Sequence, residues 1–256
     1  MASALRGHVN ILLLGTALLM GCATAPVTGR KQLVLVSSEQ AATLGATAFE
    51  DIRMRTPVIT GTAEAAMVAR VGKRLLASIG DEEAAWEFVL FEDGEPNAFA
   101  LPGGKVGINS GLLRVAQNEA QLAAVIGHEI AHVTARHSAE RMSRDMLANL
   151  GLAGLAGLGA NEQAVGLVAQ AATLGVVLPF SRDQESEADR IGVIYMAGAG
   201  YDPREAIALW QNFAALGGER PPKFLSTHPD PERRIARLEA LMPEALALYE
   251  RSAAAR

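Results

Sequence analysis

The segment His128-Glu129-Ile130-Ala131-His132 constrains this chain more than any other. It lies within Asn118 to Arg136, which reads as one amphipathic helix. Asn118 followed by Gln121 makes a capping-box start, and Leu122, Val125, Ile126, Ile130 and Val133 recur at helical spacing. His128 and His132 are one turn apart, so both imidazoles leave the helix on the same face. Two nitrogen donors in that relation suit one zinc ion, and Glu129 beside them is placed to take a proton from water. At about 100° per residue Glu129 falls between Val125 and Val133, inside the apolar arc rather than on the wet face. An ionised carboxylate there is costly without a partner, and work at a metal gives it one.

A third donor is expected from a second helix. Ser181 with Gln184 makes another capping-box start, and the segment to about Ala197 carries Glu185 and Asp189 on one face. Glu185 completes a two-histidine, one-glutamate set and leaves the fourth position open. Asp189, one turn on, is placed to accept a hydrogen bond from a ligand histidine and fix its ring. Glu187 points about 200° away from Glu185 on the wheel, so the two are not expected to serve the same site. The metzincin pattern would need glycine at 135 and histidine at 138, where the chain has Ala135 and Ser138. His137 falls one residue early and is expected to pack or hydrogen-bond locally.

Length and composition allow one domain plus a targeting segment: 256 residues, 50% hydrophobic and 20% charged, can bury a full core. A net charge of -5 with no basic stripe argues against nucleic acid as a partner. The single cysteine excludes an intrachain disulfide and a cysteine-built zinc site. Its position is informative. Val9 to Met20 is a short apolar run after Arg6, with the build of a secretory leader, and it ends in Leu19-Met20-Gly21-Cys22. That ending resembles the lipobox of bacterial lipoproteins, which implies cleavage after 21 and a lipid on Cys22. Ala23 in place of aspartate implies the outer membrane, where several acyl chains at about 0.8 kcal/mol per methylene hold firmly. The expected division is a leader over 1–21, a lipidated tether and first strand over 22–36, a catalytic domain over 37–250 and a frayed tail over 251–256.

Along the chain, Gln32 to Val36 reads as a strand, Ser37 with Gln40 starts a helix to about Arg55, and a second helix covers Ala63 to Ile79 with Val71, Leu75 and Leu76 in the core. Trp86 to Phe91 alternates as a strand. Pro96 to Asn109 reads as two strands joined at Pro102-Gly103-Gly104. Two readings stand for this pair: a plain hairpin, or an edge strand beside the cleft to which a peptide adds as a further strand, with Asn97, Ala98, Gly103 and Gly104 as contacts. The stretches Met146–Gly159 and Ala164–Phe180 read as buried or interfacial helices over the cleft, in preference to a re-entrant membrane segment. Asp202-Pro203-Arg204-Glu205 starts a helix with proline in its first position; Leu209, Trp210 and Phe213 read as core, and Pro221 to Pro231 as a loop.

HEIAH followed by ESEAD resembles the gluzincin peptidases of family M48, which hold the CAAX prenyl protease and the heat-shock membrane protease HtpX, and it is most similar to the periplasmic lipoprotein branch. Supporting stretches are Pro26-Val27-Thr28-Gly29-Arg30-Lys31-Gln32, Asn97 to Gly104, Ser181-Arg182, Ala199-Gly200-Tyr201-Asp202-Pro203 and Ser226-Thr227-His228-Pro229. The resemblance implies an α+β, mostly helical fold with a small sheet beside the HExxH helix, one zinc ion per chain, and endopeptidase work on misfolded or misassembled envelope proteins. It also brings His228 towards the zinc, either to stabilise an oxyanion or to occlude the open position. Arg234 then either steers substrate, orients the acidic groups, or is an exposed helix charge. A rival reading is a membrane-anchored chaperone whose cleft binds clients with little cleavage; a purely structural lipoprotein would bind no metal.

Overall fold

The computed structural model of the chain describes residues 22–81, 85–155, 180–216 and 222–254. The expected leader and the apolar stretch 156–179 lie outside these residues. Strands β1 (Cys22–Thr24) and β2 (Lys31–Leu33) pair as an antiparallel hairpin. The expected tether is therefore folded against the body, and the strand expected to reach Val36 ends at Leu33. The reason is a switch of partner: the Leu35 amide leaves the ladder and donates to Ser143 Oγ at 2.8 Å, while Gln32 Nε2 donates to the Ala135 carbonyl at 2.6 Å.

Helix α1 (Ser38–Arg55) starts at the Ser37–Gln40 capping box, with both reciprocal bonds made. After the short strand β3 (Val58–Ile59), helix α2 (Ala63–Ile79) is capped by Thr62 and stopped by Gly80 at φ +69°. Strands β4 (Glu87–Phe91), β5 (Ala98–Leu101) and β6 (Lys105–Asn109) complete a sheet ordered β3-β4-β6-β5. β4 and β6 run parallel, with Phe88 opposite Val106, and β5 folds back antiparallel on β6, with Ala98 opposite Ile108. β5 is thus an edge.

Period-two alternation divides the sheet into two faces. Leu90, Ala98, Ala100, Val106 and Ile108 join the main core with α2 residues Val68, Val71 and Leu75. Val89, Phe91 and Leu101 face the other way, onto Phe49 of α1. The sheet lies between α1 and the remaining helices.

Those helices are α3 (Glu119–Thr134), α4 (His137–Leu155), α5 (Arg182–Gly198), α6 (Arg204–Ala215), the short α7 (Lys223–Thr227) and α8 (Pro231–Ala254). Where one helix is expected to reach Arg136, the chain breaks: Ala135 caps α3 and Arg136 turns at φ +54° into α4. The start of α6 also differs, because Pro203 is the N-cap and the first helical residue is Arg204. Glu205 instead accepts from Asn118 Nδ2 at 2.8 Å and Gln121 Nε2 at 2.9 Å, tying α6 to the start of α3. The expected loop 221–231 contains α7, and the tail expected to fray stays helical through Ala254, as alanine's helix preference allows. Among the described residues no helix is long and apolar enough to cross a membrane.

The contact that organises these helices is between two glycines. A Cβ on Gly127 would lie 3.0 Å from the Gly192 carbonyl oxygen, and one on Gly192 would lie 2.8 Å from the His128 amide nitrogen. Nothing larger fits, so α3 and α5 meet backbone to backbone beside His128. Gly192→Ala gains about 1 kcal/mol in helix propensity, but the clash is with backbone that cannot rotate away. We expect a net loss of about 1–3 kcal/mol, read as a lower urea midpoint at constant m value; a midpoint equal to wild type would mean the helices part at no cost.

Candidate metal centre

The α3–α5 contact sets Glu185 against the HExxH face. Asn118 Oδ1 caps α3 by accepting from the Gln121 amide at 2.9 Å, while the Gln121 side chain accepts from Gln117, one residue outside a true capping box. α5 opens on the full Ser181–Gln184 box. Both helix starts are thereby fixed, and with them the direction in which His128, His132 and Glu185 project.

His128, His132, Glu185 and His228 form one buried cluster, each 4% exposed or less. His132 Nε2 lies 3.0 Å from His128 Nε2, and His128 Nε2 lies 3.2 Å from His228 Nδ1. Glu185 approaches His128 at 3.4 Å, His132 at 3.5 Å and His228 Nδ1 at 3.0 Å. Zinc with ligands at about 2.0–2.1 Å in a tetrahedron holds its donors roughly 3.3–3.4 Å apart. The four donors therefore sit close to the corners of such a tetrahedron. Three imidazoles turning lone pairs and one carboxylate towards a common point need a cation there, and the cluster is positioned to chelate a single divalent ion, one zinc per chain.

His228 is the donor that spacing did not supply. It follows α7, whose Phe224 stacks on Phe213 at 4.9 Å and on Trp210 at 5.7 Å, and the His228 amide donates to the Phe224 carbonyl at 2.8 Å. Lys223 and Phe224 amides bond Glu95 and the Pro96 carbonyl, which pins α7 to the loop before β5. These contacts bring His228 Nδ1 in among the possible metal donors.

Glu129 is 1% exposed, and its Oε1 finds no hydrogen-bond partner among the described residues. His228 Nε2 faces it at 3.4 Å. Burial pushes the Glu129 carboxyl above its ordinary range, although the nearby His228 and His128 pull the other way. Burial also opposes ionisation of Glu185, but the charges of His228 and Arg234 and the hydrogen bonds from His128 and His132 hold it well below the usual range.

Arg234 is 1% exposed. Its Nη1 donates to Glu185 at 2.8 Å, its Nε donates to Asp189 at 3.1 Å, and the guanidinium lies 3.8 Å over the Trp210 ring. These are the contacts of a group that orients acids from behind the donors; neither an exposed charge nor a substrate-facing one is placed like this. Asp189 Oδ1 also lies 3.3 Å from His128 Nδ1, the ring expected to need it.

His132 is held differently. Its Nδ1 meets His137 Nδ1 at 2.9 Å, and His137 Nε2 meets Glu187 Oε2 at 3.0 Å. Glu187 in turn accepts from Arg30 Nε at 2.6 Å and from the Thr28 hydroxyl. The wheel position rightly separates Glu187 from the donor set, yet Glu187 still joins the site, through a histidine on the next helix. The local hydrogen bond expected of His137 is made, to His132, but its link to Glu187 and Arg30 was not legible, because the turn at Arg136 that brings His137 back against His132 has no glycine to announce it. The Phe180 ring stacks on the far side of His132 at 3.9 Å.

Gly103 and Pro102 line an open groove of about 640 Å³ with Ala41, Ala42, Val133 and His132. The φ values of +81° at Gly103 and +76° at Gly104 account for both glycines through the turn itself. Asn97 and Ala98 are buried, and the Asn97 carbonyl accepts from Asn109 at 3.0 Å.

A mostly helical fold with a small mixed sheet beside a histidine–glutamate cluster of this geometry defines a gluzincin-type zinc metallopeptidase. Residues 62–242 match the family described as Peptidase family M48, and the chain belongs to it. It is 41% identical over 189 residues to the mitochondrial metalloendopeptidase OMA1 of Schizosaccharomyces pombe, covering 72% of this chain and 55% of that one. It is 38% identical over 197 residues to a putative beta-barrel assembly-enhancing protease of Vibrio cholerae, covering 72% and 40%. With the beta-barrel assembly-enhancing protease of Escherichia coli K12 it shares 33% over 225 residues, 83% and 46%. The chain spans about half the length of these relatives.

Glu140 offers a test by pH. Against the upward push of burial, hydrogen bonds from Arg30 and Gln184 and the charge of Arg144 hold its carboxyl below the ordinary 4.5. Because the folded value is depressed, the stability that Glu140 contributes is present above 4.5 and is lost as pH falls through that lowered value. Urea unfolding of metal-free protein should show Glu140→Gln less stable than wild type at neutral pH, with the gap closing as the solution is acidified below 4.5. A gap independent of pH would contradict the assignment.

Proposed function

We propose that the protein is a zinc endopeptidase of the bacterial envelope, anchored by a lipid on Cys22 to the periplasmic face of the outer membrane and acting on unfolded or misassembled envelope proteins. The observation that carries the hydrolytic part is the pairing of a buried Glu129 carboxyl, whose Oε1 has no hydrogen-bond partner among the described residues, with a buried four-donor metal cluster. The anchor is supported by Leu19-Met20-Gly21-Cys22, and the envelope setting by the relatives whose names refer to β-barrel assembly. The sequence motifs favour the lipoprotein branch of the family, beside the CAAX prenyl protease and HtpX.

His128, His132 and Glu185 hold the metal. When bound, zinc supplies Lewis acidity, lowering the pKa of water towards about 7 and polarising a carbonyl. Glu129 takes a proton from the attacking water and delivers it to the leaving amine. Its raised pKa suits a group that must both accept and return a proton. Asp189 and Arg234 keep His128 and Glu185 in place. Substrate binds as an added strand along the edge of β5 away from β6, through the backbone of Ala98 next to Asn97, and runs past the Gly103-Gly104 turn towards His132. His228 closes the resting site and withdraws when substrate enters.

Glu129→Gln is expected to keep one zinc per chain and to cleave unfolded envelope proteins about a hundred- to ten-thousandfold more slowly, as chelator does to wild type. Undiminished turnover would remove Glu129 from the mechanism. Full rescue of a deletion strain by this variant would establish the chaperone reading instead. His228→Ala should bind zinc more weakly and, at saturating zinc, cleave faster than wild type; a fall in kcat with KM unchanged would assign His228 to oxyanion stabilisation.

A further inference from the structure

The hairpin β1–β2 lies outside the residues that match the family model, 62–242, yet it reaches the metal centre through side chains. We propose that Arg30, Glu187 and His137 are positioning residues for the metal: together they set the His132 ring with its Nε2 lone pair on the ion, so the N-terminal arm is a working part of the site. The inference rests on the metal reading of the cluster and on nothing about turnover.

With His137 neutral, the hydrogen bonds allow one arrangement. Arg30 has only donors, and its fork is fixed by two bonds to Glu140, at 2.9 and 2.8 Å, while Nε reaches Glu187 Oε2 at 2.6 Å. With Arg30 and the Thr28 hydroxyl both donating to it, Glu187 is an ionised acceptor. His137 Nε2, 3.0 Å away, must therefore carry a proton. In the neutral ring that leaves His137 Nδ1 as an acceptor. Its partner at 2.9 Å, His132 Nδ1, must then be the donor. A neutral His132 protonated at Nδ1 has its free lone pair on Nε2, the atom that faces the other donors. His137 is fully buried, so no water replaces either of its bonds. Each link fixes the next, from an arginine on the N-terminal hairpin to a metal donor on α3.

Gln184 extends the same support. It closes the capping box that starts α5, and its Nε2 donates to Glu140 at 2.9 Å and to the His137 carbonyl at 3.3 Å. The arm and the Glu185 helix therefore share one anchor.

The test uses the full-length protein and zinc itself, titrated against a metallochromic chelator, with folding checked by thermal melting. Groups that orient a metal-binding histidine are worth about ten- to a hundredfold in metal affinity. We expect losses of that size in Glu187→Leu and His137→Phe, a smaller loss in Arg30→Met, and partial recovery in Glu187→Gln, which keeps one acceptor oxygen. Cobalt-substituted Glu187→Leu should show an altered visible spectrum. Ser143→Ala, which loosens the same arm at Leu35 without touching these residues, should lower the melting temperature and leave zinc affinity unchanged.

Folded Glu187→Leu or Arg30→Met that binds zinc as tightly as wild type would overturn the proposal. So would a Ser143→Ala loss as large as theirs, since any loosening of the arm would then suffice. If Glu187→Leu or His137→Phe fails to fold, the comparison rests on Arg30→Met and Glu187→Gln, which change surface-reaching or isosteric groups. Zinc affinity is read without hydrolysis, so a failure here is separable from a failure of the peptidase reading.

Discussion

The metal centre depends on how closely α3 and α5 approach. His128 and His132 are fixed relative to each other by one helical turn, but Glu185 belongs to a helix that begins about fifty residues later in the chain. Only the backbone contact of Gly127 with Gly192 brings that carboxylate to 3.4 and 3.5 Å from the two ring nitrogens. A side chain at either glycine would push the helices apart by a distance comparable with the tolerance of a metal–ligand bond. The same contact places Asp189, one turn before the crossing, against His128.

Close approach creates an electrostatic problem, which the surrounding charges resolve. Two carboxylates of α5, Glu185 and Asp189, are buried within a few ångströms of each other, where unpaired ions are costly. Arg234 donates to both, and its guanidinium plane is shielded by Trp210. On the other side of the site Arg30 does the same for Glu140 and Glu187. Two arginines, one from each end of the described chain, thus each bridge a pair of acids. Between them stand the histidines, free to present lone pairs inward. Neither arginine would be buried or half-buried without these acids, and neither acid pair would ionise there without its arginine.

Legibility in the sequence followed the range of the interactions. The capping boxes at Ser37 and Ser181, the HExxH face and the turn at Pro102-Gly103-Gly104 are local patterns, and the structure has them where the spacing puts them. Glu185 was readable because helical spacing and zinc chemistry together demand a third donor on a capped helix. What escaped was non-local. The β1–β2 hairpin is short, polar and held by side chains such as Gln32 and Arg30, so no periodicity marks it. The break at Arg136 uses a non-glycine residue at φ +54°, which no turn motif signals. Without that break His137 lies on the continuing helix; with it, the ring folds back onto His132.

The four donors are not held equally, and that inequality is what a closed metal site needs if it is also to react. His128 and His132 sit on the second half of α3, beside the glycine contact and in the last turn respectively, and Glu185 sits on the first turns of a helix capped at Ser181. Moving any of them means moving a long, core-packed helix. His228 follows a five-residue helix held by an aromatic stack, one side-chain bond from Glu95 and one backbone bond from Pro96. Its other ring nitrogen faces Glu129, whose Oε1 lacks a hydrogen-bond partner among the described residues. Displacing His228 would vacate a corner of the tetrahedron and uncover that carboxylate in the same movement. The donor that follows the shortest helix is thus also the one whose ring faces the base, so the withdrawal proposed for His228 would open the metal and the base together.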